Sequence, residues 1–134
     1  MASQDLTRRV IVVDDSGVFG FTLSLEFRNN GWNVYCCGNA EDALKQLEDN
    51  DYDLILSDVF MPGMRGDEMA ELILRRRPDS RIILMSSMPK ERLPALPRGV
   101  AFLPKPVSVP MILKAFEKST RPTFETPPPP PSKT

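Results

Sequence analysis

Five side chains carry most of the chemistry this sequence can do: the adjacent acids Asp14 and Asp15, the acid Asp58, the hydroxyl of Ser86 and the ammonium of Lys105. Each follows a short apolar run, RVIVV before Asp14, YDLILS before Asp58, RIILM before Ser86 and VAFLP before Lys105. Near-continuous apolar runs of this length read as strands buried on both faces. If the strands lie parallel in one sheet, their carboxyl ends open onto a common crevice and the five side chains become neighbours. Three carboxylates gathered there repel one another and resist ionisation unless a cation intervenes. An all-oxygen ligand set points to Mg²⁺, which takes a few carboxylates together with water and phosphoryl oxygen.

The elements that must position these residues are legible in the spacing. Strands are expected at Arg9 to Val13, Trp32 to Cys37, Tyr52 to Asp58, Arg81 to Ser86 and Val100 to Pro104. Between the first two, Val18, Phe19, Thr22, Leu23 and Phe27 recur at helical spacing before the stop signal Asn29-Asn30-Gly31. A second helix starts near Ala40, with Ala43, Leu44 and Leu47 on one face, and ends near Asn50. A third runs from about Gly66, carries Met69, Ala70, Ile73 and Leu74, and closes at Arg75-Arg76-Arg77-Pro78. The last is capped by Ser108, tolerates Pro110 in its first turn and presents Met111, Ile112, Ala115 and Phe116 as a buried stripe. Pro89, Pro94 and Pro97 interrupt the stretch between the fourth and fifth strands and leave room there for two helical turns at most. The expected fold is therefore α/β, a doubly wound five-stranded parallel sheet of order 2-1-3-4-5, flavodoxin-like, with a shortened or irregular fourth helix.

Composition narrows the function classes. The chain has 134 residues, enough for one domain with a real core and too few for two. Seventeen basic residues against 18 acidic ones leave a formal net charge of −1, which creates no general field for nucleic acid or an anionic membrane. The absence of histidine removes the usual proton shuttle, the commonest zinc ligand and any histidine phosphodonor in this chain. Cys36 and Cys37 are adjacent and cannot build a disulfide framework, which fits a reducing, cytoplasmic setting. The start MASQDLTRR lacks the apolar region of a secretory signal, and no apolar run approaches a membrane span. Six of the 14 prolines lie at Pro122 and Pro127 to Pro131, so residues 8–120 are expected to form the domain and 121–134 a proline-rich tail or linker remnant.

Taken together and in this order, VVDD (Val12 to Asp15), LILSDVFMPGMRG (Leu54 to Gly66), IILMSS (Ile82 to Ser87) and FLPKP (Phe102 to Pro106) resemble the receiver domains of bacterial two-component response regulators, the group of the chemotaxis receivers. GNAEDAL (Gly38 to Leu44) is a softer match. The resemblance implies a phosphoacceptor switch in which Asp58 receives a phosphoryl group in a Mg²⁺-dependent reaction. It implies metal ligation by Asp14, Asp15, Asp58 and the main-chain carbonyl of Phe60, with Asp14 acting largely through water. Lys105 and Ser86 would contact the phosphoryl group, Phe102 would swing inward as Ser86 moves, and Lys105-Pro106 would be cis. Partners would be a histidine kinase or a histidine phosphotransfer protein, a downstream protein target and a weak homodimer. Turnover would amount to self-phosphorylation from a phosphodonor and slow loss of the module's own phosphoryl group.

The chain departs from the family pattern in three places. Arg65 replaces the acid usual in the MPGMDG turn and puts positive charge near the crevice. Phe60 is large and apolar where polar residues are common, and could shield a phosphoryl group from water. Ser86 and Lys105 are 19 positions apart, shorter than is usual, and the deficit falls in the proline-interrupted stretch. That compression leaves a second reading open, a phosphorylation-independent interaction module that uses its atypical fourth region. A phosphatase acting on external substrates is disfavoured, because no second acid follows Asp58 at a two-residue interval. A P-loop is excluded, because the turn after Val13 lacks GxxxxGK. No DNA-binding module is legible after the last helix.

Overall fold

A computed structural model describes residues 7–118. The strands are β1 (Arg9–Val13), β2 (Asn33–Cys37), β3 (Leu54–Asp58), β4 (Ile82–Ser86) and β5 (Ala101–Pro104), and the helices are α1 (Gly17–Asn29), α2 (Ala40–Asp49), α3 (Gly66–Arg76) and α4 (Val109–Lys118). The sheet is parallel throughout with order 2-1-3-4-5. Among the described residues no helix is long and apolar enough to cross a membrane. The tail at 121–134 and the expected domain end near Ser119 and Thr120 lie outside the described residues.

Period-two alternation sends successive strand residues to opposite faces, so each buried strand feeds two cores. On one side Val10, Val12, Leu56 and Met85 meet Leu23 and Phe27 of α1 and Ile112 and Phe116 of α4. Trp32 closes that core, packing edge-on against Phe27 and Phe116 with ring centroids 5.4 Å from each. On the other side Ile11, Val13, Ile55 and Leu84 meet Ala43 of α2 and Met69, Ala70 and Ile73 of α3. Edge strand β2 is only partly covered, with Cys36 exposed and Cys37 turned into the second core. Burial, followed by the charge of Asp42, pushes the Cys37 thiol up to about 12, so it stays protonated and inert.

Two sequence expectations shift, on α1 and α4, while the shortened, irregular fourth region is as expected. In α1 the buried positions are Gly20, Leu23, Ser24 and Phe27. Val18 and Thr22 face solvent, because the helix is apolar nearly all round and the sheet can cover only one side of it. In α4, Met111 is exposed and Val109, Ile112 and Phe116 form the stripe, with Ala115 half-buried. Between β4 and β5 the chain makes a single 3-10 turn, Lys90–Arg92, before an extended return to β5. Leu96 and Val100 from this stretch cover the sheet where a helix would otherwise lie.

Candidate functional site

The carboxyl ends of β1, β3 and β5 bring four of the five reactive side chains, Asp14, Asp15, Asp58 and Lys105, into one crevice. Register places Val13 of β1 beside Ser57 of β3, and Asp58 beside Met85 of β4. Asp14 therefore leaves β1 next to Asp58, and Asp15 follows at the rim. One ligand oxygen from each of Asp14, Asp15 and Asp58 lies within 4.8 Å of the others. Asp14 is buried, Asp58 nearly so and Asp15 exposed, so the cluster opens to solvent on the Asp15 side.

Local backbone structure holds each acid in place. The Asp14 Oδ1 accepts from the Ser16 amide at 2.7 Å, and the Ser16 hydroxyl caps α1 by accepting from the Phe19 amide at 3.3 Å. Val59 donates to the Met85 carbonyl at 2.8 Å and Gly66 donates to the Val59 carbonyl at 2.8 Å, which ties the turn after Asp58 back to the sheet. Gly66 lies so close to this turn that an added Cβ would overlap the Asp58 carbonyl oxygen.

Lys105 arrives from the far edge. Its amide donates to the Ser86 carbonyl at 2.8 Å, and its peptide bond to Pro106 is cis. The ammonium donates to Asp14 Oδ2 and to Asp58 Oδ2, at 3.1 Å each, and sits 4.3 Å from the centroid of the Phe19 ring. Burial pulls the Lys105 pKa down, but the two carboxylates outweigh it and hold the ammonium charged. One lysine cannot balance this many acids. Burial, followed by the charge of Asp14, raises Asp58 to about 6 against the opposing pull of Lys105, with Asp15 adding to the rise. The cluster is thus short of positive charge and lined with hard oxygen donors, an arrangement suited to a small divalent cation.

Ser86 is 2% exposed at the end of β4, and its hydroxyl accepts from the Met88 amide at 3.0 Å. It reaches Lys105 through its backbone, while its side chain is engaged with the loop rather than with the three acids. Phe102 on β5 is half-buried against the second core. Phe60, two residues beyond Asp58, is 37% exposed at the mouth of the site. Arg65 does not bring free charge to the crevice: its guanidinium pairs with Asp67 at 2.9 and 3.0 Å and with Glu68 at 3.8 Å, in the first turn of α3.

Three supporting residues have no role at the site in the sequence reading: Ser16, Phe19 and Gly66. A serine three residues before the Phe19 amide is a recognisable cap signal. The ring of Phe19 beneath Lys105 joins segments far apart in the chain and leaves no local signature, whereas the approach of Gly66 to Asp58, eight positions apart, is set by how the turn between them folds back.

The sequence profile described as the response regulator receiver domain matches residues 10–117. The transcriptional activator protein PfeR of Pseudomonas aeruginosa is 33% identical over 104 residues; the match takes in 75% of this chain and 34% of PfeR, about a third of that relative's length. Among solved structures, the chemotaxis response regulator CheY4 of Vibrio cholerae is similar in fold, with a TM-score of 0.73 at 23% identity, covering 85% of this chain and 99% of that one. Response regulator protein TrrA from Thermotoga maritima, solved in complex with Mg²⁺-BeF, has a TM-score of 0.72 at 26% identity, over 85% of this chain and 100% of TrrA. A chain from the complex of histidine kinase ThkA with TrrA has a TM-score of 0.73 at 26% identity, over 84% of this chain and 98% of the matched one.

Proposed function

This chain belongs to the response regulator receiver domain family, and from that premise we propose that it is a phosphoacceptor switch, taking a phosphoryl group from a phosphohistidine onto Asp58 and signalling by protein contact. The observation that carries the reading is Lys105, whose ammonium bridges Asp14 and Asp58 in a solvent-open crevice at the carboxyl edge of the sheet.

Asp14, Asp15, Asp58 and the main-chain carbonyl of Phe60 would hold Mg²⁺, a choice supported by the all-oxygen donor set and its deficit of positive charge. When bound, the ion offsets the negative charge that gathers on the phosphoryl oxygens. Asp58 attacks phosphorus through Oδ1, the carboxylate oxygen that Lys105 does not engage. The new O–P bond forms in line as the histidine N–P bond breaks, and the electron pair returns to the donor's imidazole. Lys105 then has a phosphoryl oxygen to pair with as well as Asp14.

The Ser86 hydroxyl still has its proton to give. Turning it toward a phosphoryl oxygen gives up the bond from the Met88 amide and pulls on the loop after β4. Phe102, on the neighbouring strand and half-buried, is the aromatic side chain placed to follow that movement. Upstream, a histidine kinase or histidine phosphotransfer protein supplies the phosphohistidine that this histidine-free chain lacks, and the ThkA–TrrA complex supports a kinase partner. The exposed stripe Val18, Phe21 and Leu25 on α1 offers such a partner an apolar surface on the helix that begins at the crevice. The assigned domain spans residues 8–120, with 121–134 as a linker or tail.

Incubation with Mg²⁺ and acetyl phosphate, read by intact mass, tests the mechanism. The expected result is a phosphoryl adduct on the native chain and none on Asp58→Asn. A folded native chain that takes up no phosphoryl group would overturn the reading and leave the phosphorylation-independent interaction module, which the helix-poor stretch between β4 and β5 favours.

A further inference from the structure

Lys105 reaches the crevice on a flexible four-carbon stem, and such a side chain keeps one geometry only when its ammonium is restrained from several directions. The ammonium has three donors. Two go to Asp14 Oδ2 and Asp58 Oδ2 at 3.1 Å each, and the group also lies over the face of the Phe19 ring, 4.3 Å from its centroid. Both acids belong to the carboxylate cluster suited to a divalent cation, so their oxygens are contested. The ring is not. Its negative face attracts a cation, yet it has no lone pair to offer a metal ion and no proton to give a phosphoryl oxygen.

Phe19 is itself held from two sides. It stands in the first turn of α1, where its amide donates to the Ser16 hydroxyl at 3.3 Å, and its half-buried side chain packs against the first core. The Ser16 amide donates in turn to Asp14 Oδ1 at 2.7 Å. Asp14, Ser16, Phe19 and Lys105 therefore close a circuit, in which Oδ1 of Asp14 faces the helix cap and Oδ2 faces the ammonium. The Lys105 side chain is only 19% exposed, so the ring contact is largely out of water, where cation–π attraction is stronger.

We propose that Phe19 is a positioning residue for phosphoryl transfer, holding the Lys105 ammonium on the Oδ2 side of Asp58 so that Oδ1 stays open to phosphorus. The inference rests on the phosphoacceptor reading of Asp58 and adds to it a residue that touches neither the metal ligands' oxygens nor the phosphoryl group. As the acids exchange partners during the reaction, the ring is the contact of the ammonium that stays unchanged. A lysine without it could swing between the oxygens of Asp14 and Asp58 and cover the attacking one.

NMR of labelled lysine methylenes on the full chain in EDTA, with Lys105 assigned by its loss in Lys105→Met, reads the contact directly. The Cε methylene beside the ammonium is expected to lie upfield of those of the other lysines, shielded by the ring. It should move downfield in Phe19→Leu and stay upfield in Phe19→Tyr. With Mg²⁺ and acetyl phosphate, Phe19→Leu is expected to take up the phosphoryl group about fivefold more slowly, as for the loss of one cation–π contact. Phe19→Tyr should return the rate to near the native value. Leucine keeps the apolar packing of the position, and the urea midpoint of each variant serves as the fold control. A native Lys105 signal level with the other lysines, a native rate in Phe19→Leu, or a Phe19→Tyr rate as slow as that of Phe19→Leu would each overturn the proposal. A native chain that forms no adduct would instead overturn the phosphoacceptor reading, and this role with it.

Discussion

Replacing Asp58 with Asn should make the domain more stable, and only where Asp58 is ionised. The folded protein raises this carboxyl from 3.8 to about 6, first through burial and then through the charge of Asp14. A folded state that binds the proton more tightly than the unfolded state gains stability in acid. For this residue that stability is complete below about pH 4, is lost as the pH rises toward 6, and stays lost above. At about 1.4 kcal/mol for each tenfold change in proton affinity, the rise corresponds to about 3 kcal/mol. The Asp58 side chain is only 12% exposed, so solvent screening takes little from this figure. The amide also ends the Lys105 ion pair with Asp58 while leaving the one with Asp14, which lowers the expected net gain to about 1–3 kcal/mol at pH 8. Urea denaturation in EDTA from pH 4 to pH 8 measures it. The gap between variant and native protein should open between pH 4 and 6 and then level off. A gap that is flat across the range, or that widens in favour of the native protein, would refute the electrostatic account of the crevice.

Other perturbations probe separate parts of the site. Lys105→Met removes the ammonium between two acids, so the Asp58 pKa should climb further above about 6, as read by carboxyl NMR titration in EDTA; an unchanged titration would mean that Lys105 is not the compensating charge. Gly66→Ala places a Cβ 2.9 Å from the Ser57 Oγ and 3.0 Å from the Asp58 carbonyl carbon, and should cost about 2–3 kcal/mol in urea denaturation with slower phosphoryl uptake. Native-like stability would show that the turn after Asp58 yields easily. Phe60→Asn exchanges a partly exposed aromatic beside the phosphoacceptor for a polar group, and should shorten the lifetime of the phosphorylated form in a time course of adduct loss. An unchanged lifetime would eliminate shielding by Phe60. Adding Mg²⁺ should raise the urea midpoint of the native chain at pH 8 and EDTA should lower it again, with a smaller response in Asp58→Asn; equal responses would place the ion elsewhere.

Four apolar runs leading to polar residues and a fifth strand-like run at Trp32 to Cys37, separated by helical spacings, are enough to specify a parallel doubly wound sheet. Buried parallel strands tolerate little else, and right-handed crossovers leave few topologies. Those local rules also put Asp14, Asp15, Asp58, Ser86 and Lys105 at the strand ends and deny the stretch holding Pro89, Pro94 and Pro97 a long helix. They do not say which side of an all-round apolar helix is covered. Val18 and Met111 point to solvent because burial is decided by the neighbouring elements rather than by the spacing within the helix.

The chain on its own therefore determines the inventory of the site: which acids, which lysine and which hydroxyl, at which ends of which strands. Tertiary packing decides how those groups are charged and restrained. Lys105 is shared by Asp14 and Asp58, Phe19 lies under its ammonium, Ser86 is turned toward Met88, and Arg65 is neutralised by Asp67 before it can act on the crevice. Each of these depends on distances between residues from different elements, and Coulomb and hydrogen-bond energies change steeply over a few ångströms. Sequence spacing does not carry that information, and only the folded chain supplies it.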